Sequence, residues 1–162
     1  MIVVSDTTPL SELAKVGHLD LLHRVYGEIR IPREVYDEVT TGNHPAIAQV
    51  KSLDWLRVHA VRQPDRVIEL QNATRLGKGE CAAMILAEEH QADQLLLDDL
   101  DARRVALSRN LPVVGTVGTL LVAKQRGVID SVKDILVALI DQGTRISPRL
   151  YQSAIAAANE SE

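Results

Sequence analysis

The sequence predicts an α/β domain with a parallel central sheet and a helical C-terminal extension. Short strand-like runs, Ile2-Val3-Val4, Leu95-Leu96-Leu97 and Val113-Val114, recur between stretches of helical spacing, the alternation that defines this class. These runs are apolar throughout, as strands covered on both faces must be. Beyond residue 126 only helical patterns remain.

Taken in order, Ile2 to Ser5 reads as a buried strand. Thr7 and Thr8 can cap the next helix, which has Pro9 in its first turn and runs to about Val16, before Gly17 ends it. From His18 to Tyr26, Leu19, Leu22 and Tyr26 recur at helical spacing, and Gly27 stops that helix. Glu28 to Ile31 forms a second strand, and Pro32 opens a third helix to about Thr41. Thr41-Gly42-Asn43-His44-Pro45 is the clearest loop. Ala46 to Ser52 fits a short helix, Leu56 to Val61 alternates like an edge strand, and Pro64 to Leu76 carries a looser helical pattern.

Gly77-Lys78-Gly79 reads as a break, after which Glu80 starts a helix. Its next residues, Cys81 to Ala87, are all apolar, and a helix that is hydrophobic all round is buried all round. Gln94 to Leu97 is a central strand. Asp101 to Arg109 is amphipathic, with Ala102, Val105 and Ala106 inward and Arg103, Arg104 and Arg109 outward. Val113-Val114 is the last strand, followed by Gly115 and a helix bearing Val117, Leu120 and Leu121. Val132, Ile135, Leu136, Leu139 and Ile140 stripe the next helix, and Ser147-Pro148 caps the final one.

A chain of 162 residues is one domain long and can bury a sizeable core. With no Phe and only 2% aromatic residues, that core must be aliphatic. The single Cys81 excludes an internal disulfide and a cysteine-based zinc cluster, and fits a reducing compartment. No apolar stretch approaches the length of a bilayer span and no basic leader precedes Ile2, so a cytoplasmic location without membrane contact is expected. A net charge of −4 argues against bulk electrostatic binding of nucleic acid, yet leaves room for a nuclease whose acids are neutralised by bound cations.

Four acidic signals fall where elements start or stop: Asp6, Glu38, Glu80 and the pair Asp98-Asp99. Each has a plain structural explanation. Asp6 suits a helix N-cap, Asp98-Asp99 suits a turn, Glu80 favours a helix dipole, and Glu38 suits a solvated helix surface. Their joint placement says more. In parallel sheets ligands collect beyond the carboxyl ends of the strands, where Asp6 and Asp98-Asp99 fall. At about 100° per residue, Glu38 lies roughly 60° from Val35, on the flank of the core face, while Asp37 points away. Carboxylates converging on one cleft repel unless they are protonated or hold a cation. The suitable cation is hard and divalent, Mg²⁺ or Mn²⁺, which points to a metal-dependent enzyme. Asp101 is close enough to assist, and Asp93 reads as a loop residue.

Other constellations are weaker. Gly77-Lys78-Gly79 lacks the spacing of a phosphate-binding P-loop. Gly115-Thr116-Val117-Gly118-Thr119 fits either a phosphate contact at a helix start or a simple tight turn. His18, His23, His44, His59 and His90 show no metal-ligand spacing and read as surface residues. Ser5 and Ser11 have no evident His partner, and Cys81 reads as inert core. A phosphoryl-transfer domain with Asp6 as nucleophile is disfavoured, because Thr8 stands where a second Asp is needed.

In order and spacing these motifs resemble the PIN-domain ribonucleases. The shared features are a strand ending in Asp6-Thr7-Thr8, the Pro-x-x-Val-x-x-Glu helix from Pro32 to Glu38, Gly79-Glu80-Cys81-Ala82-Ala83, and Leu97-Asp98-Asp99-Leu100-Asp101. The tail through Ala123-Lys124 to Ile146-Ser147 is similar to a VapC-like subgroup with extra C-terminal helices. The resemblance implies a three-layer α/β/α fold, with a nuclease core at 1–126 and a helical extension of the same domain at 127–162. It implies hydrolysis of single-stranded RNA with Mg²⁺ or Mn²⁺, often as the toxin of a toxin–antitoxin pair. Asp6, Glu38, Glu80 and Asp99 would be catalytic, and Asp6, Glu80, Asp98 and Asp99 metal ligands. Glu80 stands where many members have Asp, and Asp98, Asp99 and Asp101 compete as the fourth acid. Arg75, Lys78, Arg103 and Arg104 lie near these motifs and could grip an RNA backbone. An antitoxin and a second copy of the chain are the implied protein partners. The rival reading is a non-catalytic PIN-like module that binds RNA or protein.

Overall fold

The computed structural model describes residues 1–42 and 47–161. Five strands form one wholly parallel sheet: β1 Val3–Ser5, β2 Ile29–Pro32, β3 Leu56–His59, β4 Gln94–Leu96 and β5 Val113–Val114. Their order is β3-β2-β1-β4-β5, so β1 is central and the direction of winding reverses between β1 and β4. Val3, Val4 and Ser5 pair with Gln94, Leu95 and Leu96, which aligns the carboxyl ends of the two middle strands. The main-chain N–H of Asp6 then donates to the Leu96 carbonyl at 3.0 Å. Both elements that deliver an acid are thereby locked in register.

Ten helices among the described residues flank the sheet: α1 Thr7–Lys15, α2 Asp20–Tyr26, α3 Arg33–Thr40, α4 Ile47–Val50, α5 Pro64–Thr74, α6 Lys78–His90, α7 Leu100–Ser108, α8 Thr116–Gln125, α9 Val132–Asp141 and α10 Pro148–Ala157. The result is the three-layer α/β/α arrangement expected. The expected loop at Thr41–Pro45 and the expected start of a helix at Ala46 fall largely on residues 43–46, outside the described residues, as does His44.

Helix α6 is the hub. Cys81 to Ala87 are all fully or almost fully buried, as their unbroken apolarity requires, and α6 packs on β1, β2 and β4 and against α3 and α5. A second group joins α8 to α2, α9 and α10, with the Tyr26 and Thr119 hydroxyls 2.8 Å apart between α2 and α8. Fully buried Leu10, Leu13, Leu22, Ile29, Leu95 and Leu120 fill the core with aliphatic volume. Trp55 is the one buried Trp or Tyr among the described residues, stacked on His23 with ring centres 5.3 Å apart, while Tyr26, Tyr36 and Tyr151 pack half-buried at the margin.

Three local expectations are corrected. The buried helix begins at Lys78, two residues before Glu80. Gly77 takes the N-cap position, and Glu80, the third residue of the helix, reaches back to accept the Gly77 N–H at 3.1 Å. Thr7 and Thr8 do not cap α1: they are its first two residues, and Asp6 holds the N-cap position with no side-chain capping bond. Arg109, expected outward, turns back to Glu88 at 2.7 Å, a carboxylate that also meets Arg66 at 3.0 Å. Among the described residues no helix is long and apolar enough to cross a membrane.

Candidate active site

Parallel winding aims helix N-termini at the carboxyl edge of the sheet, and each acid singled out in the sequence uses one. Asp6 follows β1 at the start of α1. Glu80 lies in the first turn of α6, Asp99 is the N-cap of α7, and Asp98 sits beside the start of α8. The positive end of each helix dipole and its unpaired N–H groups make such positions tolerable for carboxylates. This is how one small domain gathers so much negative charge.

The carboxylates differ in what holds them. Glu38, on α3, accepts the Gly79 N–H through Oε1 at 3.0 Å and the Thr7 hydroxyl through Oε2 at 2.8 Å. It thus bridges the starts of α6 and α1, which bears out its placement on the flank of the core face; Asp37 points away and pairs with Arg33. Asp98 accepts the Thr116 N–H at 2.7 Å and the Thr116 hydroxyl at 2.6 Å. The N–H that could have met a phosphate at Gly115-Thr116 is therefore already taken by an aspartate. Asp99 accepts the Ala102 N–H at 3.0 Å, while Asp101 pairs outward with Arg104 at 3.3 Å.

Asp6 is the exception. Its side chain is buried, at 4% exposure, and Oδ1 has no hydrogen-bond partner. Burial pushes its carboxyl up from 3.8 to about 7; the Thr7 backbone N–H pulls the other way, and Glu80, Glu38 and Asp98 push it further up. Glu80 is also raised, first by burial, with the Gly77 N–H opposing and Asp99, Glu38 and Asp101 adding repulsion. The acids are close enough to act on one another, and they do so in two overlapping sets. Asp98 acts on Asp6, and Asp99 and Asp101 act on Glu80.

Two glycines make this packing possible. A Cβ at Gly79 would strike the Glu38 carboxylate, and one at Gly115 would lie 3.0 Å from Asp98 Oδ1 and 2.5 Å from Arg103 Nη1. Sequence reasoning did not identify Gly79 or Thr116 as the partners of Glu38 and Asp98. The only signal available was their position beside motifs already noticed. Among the described residues no histidine forms an ion pair with an acid: His59 and His90 meet edge to face at 5.0 Å, with His90 Nδ1 3.1 Å from Arg30.

Among the described residues, no group of three or more His, Cys, Asp or Glu side chains is arranged to hold a metal ion as it stands. The chemistry of the site nevertheless fits a hard cation. Asp6 Oδ1 is a buried acceptor without a donor, and its neighbours are carboxylates, which accept at several lone pairs each. Magnesium keeps several waters and needs only one or two carboxylates rather than an all-protein cage.

Neither the curated proteins nor the solved structures yielded a match to this chain. A family model described as a PIN domain matches residues 2–160, nearly the whole of it. Such domains are in general nucleases, hydrolases that use divalent metals. With that match added to the parallel sheet and the acids at its carboxyl edge, the chain belongs to the PIN-domain family.

Proposed function

We propose that this protein is a Mg²⁺- or Mn²⁺-dependent endoribonuclease that hydrolyses phosphodiester bonds of single-stranded RNA. The observation that carries the reading is Asp6, a buried carboxylate with an unpartnered oxygen among other acids. Asp6, Glu80, Asp98 and Asp99 would hold the metal. A bound divalent ion supplies Lewis-acid stabilisation of the phosphoryl oxygens and a more acidic water. Asp6 orients and charges the floor of the site, Glu80 and Asp99 form its α6–α7 side, and Asp98 is fixed by Thr116. Glu38, already bonded to Gly79 and Thr7, positions the starts of two helices and assists directly or through water. Residues 1–126 would form the nuclease core and 127–162 its extension. The toxin role, an antitoxin partner, homodimerisation and a cytoplasmic location are part of the same proposal and rest on the resemblance alone.

One observation favours the rival, a non-catalytic binding module: Glu38, Glu80, Asp98 and Asp99 each already accept a backbone N–H at a helix start. Calorimetric titration with Mn²⁺ separates the two. Wild type should bind, and both Asp6→Asn and Asp99→Asn should weaken binding by at least about tenfold, roughly 1.4 kcal/mol. Folded wild type that takes up no Mn²⁺, even with a nucleotide present, would reduce the acids to structural caps.

A further inference from the structure

A cleft of about 720 Å³ opens beside the acids. Asp98, Asp99 and Thr116 line one side of it, and the turn from Gly143 to Ile146 lines another. Asp6, Glu38 and Glu80 do not line it, so the cleft starts at the edge of the acid cluster and leads away, toward the C-terminal extension. The turn is anchored, since the Thr144 hydroxyl donates to Glu12 on α1.

The lining is apolar, acidic and cationic. Glu12, Asp98, Asp99 and Asp101 supply its carboxylates, Glu12 already accepting the Thr144 hydroxyl and Asp101 paired with Arg104. Leu100, Val117, Leu139 and Ile146 are apolar, and Leu100 stands 70% exposed immediately after Asp99. Arg104 and Arg145 are cationic and exposed. Arg104 shares its charge with Asp101, whereas Arg145 has no ion-pair partner among the described residues. With Asp101 matched by Arg104, and Asp98 and Asp99 assigned to the metal in the reading above, Arg145 remains as the lining's cation without an acid partner among the described residues. Beside the apolar residues it suits an anion that also carries an apolar face, and a nucleotide is one. The volume lies in the range of pockets that enclose molecules of that size, ~300–1,000 Å³.

We infer that this cleft holds the nucleotide next to the scissile phosphate, with its phosphate on Arg104 and Arg145 and its base against Leu100, Val117 and Ile146. The inference rests on the nuclease reading above and gives the C-terminal extension a part in substrate binding. No Trp or Tyr lines the cleft, so the base meets aliphatic carbon rather than a stacking ring, and sequence preference there is weak.

The test uses full-length Asp6→Asn protein as a cleavage-deficient parent. Its binding of a dye-labelled single-stranded RNA is followed by anisotropy between about 50 and 200 mM salt. Adding Arg104→Gln and Arg145→Gln together should weaken binding about tenfold or more and lower the salt slope by about 0.7, the value for one phosphate contact on a single strand. Leu100→Asn should weaken binding with no change of slope. Unchanged affinity and slope in all of these, while the parent binds, overturns the subsite and leaves the nuclease reading standing. A parent that binds no RNA also overturns the subsite. If wild type in addition takes up no Mn²⁺, the nuclease reading falls with it.

Discussion

Asp6 is held where a charge is least welcome, and this fixes a sign that can be measured. Its carboxyl titrates at about 7 in the folded chain, against an ordinary 3.8. Between those values the native chain keeps a proton that the unfolded chain has released, so stability falls as pH rises across the window, and the whole penalty is present above it. In EDTA near pH 8, Asp6→Asn should therefore be more stable than wild type, by at most about 4 kcal/mol at about 1.4 kcal/mol per pKa unit. Near pH 4 the advantage should vanish. Urea unfolding at both pH values reads this, and equal midpoints near pH 8 would show that Asp6 is not a buried, unsatisfied charge. At this scale the sequence was legible in part. The strand before Asp6 and the acid itself are plain in the sequence, but local capping rules leave the N-cap open between Asp6 and the two threonines, and it is Asp6 that holds the position, without a side-chain capping bond. The Thr7 hydroxyl is instead drawn to Glu38, a contact spanning 31 residues that local capping rules cannot reveal.

Among the elements, strands and helices with a single dominant signal were readable from sequence. The apolar runs of β1 and β4 and the unbroken apolarity of α6 follow from burial on both faces, and they are buried so. The start of α6 was missed because Gly-Lys-Gly reads as a breaker, although a glycine at N-cap with Glu three residues on has the spacing of a capping box. The clamp on α9 was likewise invisible. Glu160 accepts the Val132 and Lys133 N–H groups at 2.8 and 3.0 Å and pairs with Lys124 at 2.8 Å, capping the helix from 28 residues away. Burial alone would raise its carboxyl, but Lys124 and those two N–H groups bring it down to about 2. This stabilisation is present above the ordinary value of 4.5 and is lost as pH falls toward 2. Glu160→Gln should cost about 1 kcal/mol at neutral pH, the usual size of a lost cap, and progressively less below about pH 4. Thermal unfolding across pH is the measurement, and a pH-independent difference would count against an ionised clamp.

For the molecule as a whole, the alternating pattern sufficed to give the class and the parallel sheet, while strand order, which puts the reversal between β1 and β4, came only with the structure. That order makes the site, because it brings residues 6 and 98 to neighbouring strand ends. The molecule carries a net charge of −4, so on average it repels the polyanion proposed as its substrate. Any Asp→Asn change alters both the site and this overall repulsion, and a kinetic effect mixes the two. Gly79 offers a way round that. Gly79→Ala keeps every carboxylate and the same charge, and the atoms its methyl meets are the movable end of Glu38, so the fold should tolerate it. Glu38 must leave its seat on the Gly79 N–H. We expect circular dichroism and the encounter with RNA to be unchanged and turnover to fall at least about tenfold, roughly 1.4 kcal/mol of barrier. Full turnover would mean that Glu38 need not be there. One methyl group thus isolates where a charge sits from how much charge there is, which no exchange of an acid for its amide can do.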